Sequence, residues 1–64
     1  MSEVLMQRWK RKINTITEAV ELGELRLTEW EEGFIDSIGI QLENDKELSF
    51  KQSQHLNIIY DRVQ

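Results

Sequence analysis

The stretch Leu27-Thr28-Glu29-Trp30-Glu31-Glu32-Gly33-Phe34-Ile35-Asp36-Ser37-Ile38 sets the fold class of this chain. Thr28 followed three residues later by Glu31 is a capping box, in which a hydroxyl and a carboxylate each satisfy a free backbone donor at the start of a helix. Glu29, Glu31 and Glu32 crowd the first turn, where the positive end of the helix dipole favours them. Trp30, Phe34, Ile35, Ile38 and Leu42 then recur at helical spacing, so this segment is read as a helix over residues 29–43 with those side chains inward. Gly33 and Gly39 each cost up to about 1 kcal/mol relative to alanine. They are read as points of close helix approach.

Working outward, the same logic repeats on both sides. Ser49-Phe50-Lys51-Gln52 is a second capping box, with glutamine in the acidic position, and it opens a helix over 50–63 facing inward through Leu56, Ile59, Tyr60 and Val63. Asn44 is the expected C-cap before it. Upstream, Leu5, Trp9, Ile13, Ile16 and Val20 form one apolar stripe, predicting a helix over 3–22 that ends at Gly23. Glu24-Leu25-Arg26-Leu27 is too short for a strand and reads as a connector with two apolar anchors. The expectation is one all-α domain, residues 1–64, a three-helix unit with a long first helix and two capped amphipathic helices.

Composition narrows the function. The 64 residues hold no cysteine and one histidine, which excludes disulfides and a Cys/His zinc site. A chain of this size buries only about 60% of its unfolded surface, too little for a pocketed two-domain enzyme. With 39% hydrophobic and 31% charged residues the balance is globular, and no apolar run approaches the ~18 residues of a membrane span. Met1 and the early Glu3 do not open a signal peptide, so a cytoplasmic protein with no membrane association is expected. His55 has no nucleophile or metal constellation around it and reads as a boundary histidine. No glycine-rich phosphate loop exists. Neither catalytic, cofactor-binding nor metal-binding residues are expected.

The net charge of −4 is unevenly distributed. Residues 1–13 carry +3, residues 14–36 carry −6 and the remainder −1. The acidic residues Glu18, Glu21, Glu24, Glu29, Glu32 and Asp36 are the candidate protein-binding surface, suited to a basic partner. Arg8, Lys10, Arg11 and Lys12 are the candidate nucleic-acid-binding patch, with the Lys51, Gln52, Gln54, His55 and Asn57 face of the third helix as a reader in that alternative. Both charge clusters of the first helix oppose its dipole. A hairpin with the second helix would place acid beside acid, whereas antiparallel pairing of two first helices would align Arg8–Lys12 of one copy with Glu18–Glu24 of the other. The sequence therefore suggests a homodimer through Met6, Trp9, Ile13 and Ile16.

Leu27-Thr28, Trp30-Glu31, Phe34-Ile35, Ser37-Ile38, Leu42, Leu48-Ser49, Lys51-Gln52, Leu56 and Ile59-Tyr60 together resemble a short helical module recurring in bacteriophage and bacterial proteins associated with DNA replication and recombination. The resemblance covers residues 27–62 and implies a phage-type or bacterial setting and a helical accessory role rather than catalysis. Taken with the charge pattern, the expectation is a small non-enzymatic interaction protein, a regulator or inhibitor that binds a protein partner through an acidic helical surface. The alternative is a DNA-binding accessory.

Overall fold

A computed structural model describes residues 2–63; Met1 and Gln64 lie outside it. Three helices follow one another: α1 (Ser2–Glu21), α2 (Glu29–Glu43) and α3 (Phe50–Asp61). Lys12 meets Asn57 and Tyr60 on α3, while Gln41 pairs with Gln52 and Glu31 with Arg62. The α2–α3 contacts make those helices antiparallel, and Lys12 beside Asn57 with Ala19 and Leu22 beside Val63 runs α1 parallel to α3, an up-down-up bundle measuring 34 × 20 × 18 Å. The long axis is set by α1, whose 20 residues span about 30 Å at 1.5 Å per residue.

Both capping boxes form. The Thr28 hydroxyl accepts from the Glu31 N–H at 3.1 Å and Glu31 Oε1 accepts from the Thr28 N–H at 2.9 Å. Ser49 and Gln52 repeat the exchange at 3.2 and 2.8 Å. Gln52 has a further task, since its amide pairs reciprocally with that of Gln41, 3.1 Å in each direction. Gln41 also donates to the Glu47 carbonyl at 2.8 Å, so this amide pair ties the end of α2, the α2–α3 connector and the start of α3 together.

The ends of α1 and α2 are built alike. Gly23, at φ 78°, lets the Glu24 N–H reach the Ala19 carbonyl and its own N–H reach that of Val20, the paired bonds of a Schellman cap. After α2 the residue in the left-handed position is Asp45, at φ 60°, with Lys46 bonded back to Gln41 and Asp45 to Leu42. Asn44 is the C-cap residue as expected, and its side-chain amide donates to the Ile40 carbonyl.

The core contains Met6, Trp9, Ile16 and Ala19 of α1, Leu25 and Leu48 of the connectors, Ile35, Ile38 and Leu42 of α2, and Leu56 and Ile59 of α3. Ile13, Val20, Leu27, Phe34, Tyr60 and Val63 pack around it. Among the described residues no polar side chain is buried. No helix among them is long and apolar enough to cross a membrane.

Three expectations need correction. Leu5 is exposed and Met6 is buried; at 100° per residue Leu5 lies about 30° from the midpoint of Trp9 and Ile16 and Met6 about 70°, so angle around α1 alone does not decide which of the two is covered. Trp30, expected inward, is 60% exposed. Ile35, Ile38 and Leu42 centre the buried arc of α2, and at 100° per residue Trp30 lies about 110° from that centre. Gly33 and Gly39 are not points of close approach, since a Cβ at either would meet nothing within 4 Å.

Candidate functional site

The hairpin of α1 and α2 brings the end of one helix beside the start of the other, the arrangement that places acid next to acid. Glu21 of α1 and Glu32 and Asp36 of α2 line a groove floored by Val20, Leu27 and Ile35. From Thr17, Ile35 and Asp36 the groove continues past Ile13, Gly39 and Ile40 to Glu43, and it ends against Lys10, Asn14 and Leu42. The three hollows share walls and form one furrow along the α1–α2 seam. Glu32, Asp36 and Glu43 stand on one face of α2 because their spacing of four and seven residues returns to the same side of the helix. Gly39 interrupts that rim, and the space above it is empty within 4 Å of where a Cβ would sit. Over the 11 residues from Glu32 to Glu43 the rim runs about 16 Å, three helical turns.

The rim is electrostatically unbalanced. Among the described residues the one ion pair is Arg62 to Glu31, at 2.6 Å. Glu21, Glu32 and Asp36 therefore face each other across the seam with no cation bonded to them. Lys10, at the far end, shares a wall with an acid, Glu43. Repulsion among exposed carboxylates costs tenths of a kcal/mol each, a cost the core absorbs.

The remaining acidic candidates occupy other faces of the same end of the bundle. Glu18 and Glu24 border a hollow with Leu22 and Val63 on the α1–α3 side. Glu29 borders a cleft with Trp30, Gly33, Phe34 and Ser37. The six expected binding residues thus fall on three surfaces rather than one. Glu31 is committed to structure: its carboxylate accepts from Thr28 and from Arg62, whose second nitrogen donates to the Arg26 carbonyl at 2.7 Å. The Thr28 backbone N–H and the Arg62 guanidinium hold this carboxyl below its ordinary value of 4.5.

The basic patch is also divided. Arg8, Lys10 and Arg11 are exposed, but Lys10 turns to the α1–α2 furrow. Lys12 is half-buried against α3, where its ammonium donates to Asn57 Oδ1 and lies 5.4 Å from the Tyr60 ring centroid. Arg8, Lys10, Arg11 and Lys12 span about 200° of the helix circumference, so they cannot share one face. The side chains expected at a dimer interface are likewise committed within the chain: Met6, Trp9 and Ile16 are buried in its own core and Ile13 packs against it. Pairing two α1 helices through that stripe would require the bundle to open.

The Trp30 and Phe34 rings stack at 5.3 Å and 10°, and His55 meets both edge-on, at 4.8 and 5.1 Å. His55 is therefore a packing residue at the α2–α3 boundary, while the outer face of Trp30 remains open. The i, i+4 spacing of Trp30 and Phe34, together with their distance from the arc of Ile35, Ile38 and Leu42, is the signal that locates this ledge. Among the described residues no group of three His, Asp or Glu side chains is arranged to hold a metal ion. No protein-family model matches the chain, and neither curated proteins nor solved structures provide a match.

Proposed function

We propose that this chain is a non-enzymatic interaction module, a phage-type regulator or inhibitor, that binds a basic amphipathic helix of a protein partner along its α1–α2 furrow. The observation that carries the reading is the rim of Glu21, Glu32, Asp36 and Glu43 over an apolar floor, with no cation bonded to Glu21, Glu32 or Asp36 among the described residues. An amphipathic helix laid in a groove presents apolar side chains to the floor and charges to the rim. Rim charges steer the encounter and fix its register. The proposed partner belongs to nucleic-acid-processing machinery, with a cytoplasmic site of action. The DNA-binding alternative has less support, because Lys12 and Asn57 bond to each other rather than face outward together.

The test is fluorescence anisotropy with a labelled basic amphipathic peptide of about five turns, alongside nuclease-treated affinity capture from bacterial lysate. Reversing Glu32 and Asp36 to lysine should weaken peptide binding about tenfold or more, while reversing Glu18 and Glu24 on the other seam should matter little. Equal loss from both pairs would show that net charge rather than the furrow governs binding. Recovery of nucleic acid alone, lost when Arg8 and Arg11 are neutralised, would favour the DNA-binding alternative.

A further inference from the structure

The Trp30 ledge is distinct from the furrow and has its own chemistry. A tryptophan left 60% exposed on a 64-residue domain forgoes apolar burial that so small a core needs. Its plane is nevertheless fixed, by the parallel Phe34 ring on one side and by the edge of His55 from α3. The cleft beside it is lined by Glu29, Phe34 and Ser37, and Gly33, having no side chain, leaves its middle open.

We infer that this cleft receives an arginine side chain of the basic partner, the guanidinium lying flat on the indole face and donating to Glu29. Three properties select that occupant. A fixed indole face attracts a cation through its quadrupole, and tryptophan does so best among the aromatic residues. A glutamate lining the same cleft as the indole matches the planar, forked donors of guanidinium better than the compact ammonium of lysine. A second copy of this chain would bring its own Glu29 and Glu32 against the same acidic end, and a purely apolar group would desolvate Glu29 with nothing to pair it. The inference rests on the reading that a basic partner docks on this protein, but not on its occupancy of the furrow.

The two tryptophans make the test direct, because Trp9 is buried at 7% exposure and Trp30 is not. The indole N–H signals of the 15N-labelled protein, assigned with Trp9→Phe, are followed while a short Gly/Ser-flanked peptide with one central arginine is added. The Trp30 signal should shift saturably and the Trp9 signal should stay. Replacing the arginine by lysine should weaken binding about threefold, and replacing it by neutral citrulline about fivefold. Glu29→Gln, an exposed change in the first turn of α2, should reduce arginine affinity about threefold with the fold unchanged by circular dichroism. Equal responses to arginine and citrulline, joint movement of both indoles, or no saturable shift would overturn the inference. A peptide this short cannot fill the furrow, so Glu32→Lys with Asp36→Lys separates the two readings. If the amphipathic helix still binds in a rim-dependent way while the arginine peptide does not, the furrow reading stands and this one falls.

Discussion

Replacing Asp45 by glycine should stabilise the protein, and the expected gain can be worked out from the backbone. Asp45 occupies the left-handed position after α2 at φ 60°, where an L side chain brings Cβ against the following carbonyl. That conformation costs roughly 1–2 kcal/mol, toward the lower end for aspartate. Glycine removes the cost but returns about 0.5–1 kcal/mol through the greater freedom of the unfolded chain. The substitution also removes a carboxylate just past the negative end of α2, where Glu43 and Glu47 already stand, worth about 0.3–1 kcal/mol. The net expectation is about 1 kcal/mol, or roughly 4–8 °C in Tm for a domain of this size. Asp45→Ala removes the charge but keeps Cβ, so it isolates the two contributions. Thermal and urea unfolding followed at 222 nm should rank glycine above wild type and wild type near or above alanine, with unchanged m values. If glycine is no more stable than alanine, the left-handed strain assigned to this connector is wrong and any gain is electrostatic.

Other consequences follow from specific contacts. Gln52→Glu should destabilise by about 1 kcal/mol in urea, although glutamate and glutamine serve equally in an isolated capping box, because a carboxylate cannot donate to Gln41 Oε1. Glu31→Gln should lower Tm at neutral pH while leaving the Thr28 contact available. Since the Glu31 carboxyl is held below 4.5, the stability from its ionised form is present above that value and is lost as pH falls through the depressed one. The Tm gap between wild type and Glu31→Gln should therefore be constant near neutrality and shrink below about pH 4.5; a gap independent of pH would contradict the role of Arg62. Ile38→Ala, at a fully buried position, should cost about 2–5 kcal/mol and leave much of the chain unfolded at 25 °C, whereas Ile38→Val should cost about 0.5–1.5 kcal/mol.

The end of the bundle that holds Glu21, Glu32 and Asp36 is also where α3 is tied to α2 and to the α1–α2 connector. Arg62 reaches from the end of α3 to Glu31 and to the Arg26 carbonyl in the α1–α2 connector. This pin neutralises one acid and leaves Glu21, Glu32 and Asp36 on the open seam. The opposition between α1 and its dipole is only partly relieved: Lys12 finds Asn57 and Tyr60, and Lys10 borders Glu43, but no basic residue occupies the last turn of α1. A basic partner in the furrow would supply that missing charge.

Local chemistry wrote much of the architecture into the sequence. Thr28–Glu31 and Ser49–Gln52 mark the starts of α2 and α3, Gly23 marks the end of α1, and the spacing of Ile16, Ile35, Ile38, Leu42, Leu56 and Ile59 marks the buried faces, because each depends on neighbours within one or two turns. Which acids share a surface does not. Glu21 meets Glu32 and Asp36 only once α1 and α2 fold into a hairpin, and Glu18 and Glu24 turn to another seam of the same helix. The exposure of Trp30, the pairing of Gln41 with Gln52, and the commitment of Met6, Trp9 and Ile16 to the chain's own core arise the same way. Periodicity defines an apolar arc, but only the packing of neighbouring helices decides where that arc stops and which side chains at its edge remain in water.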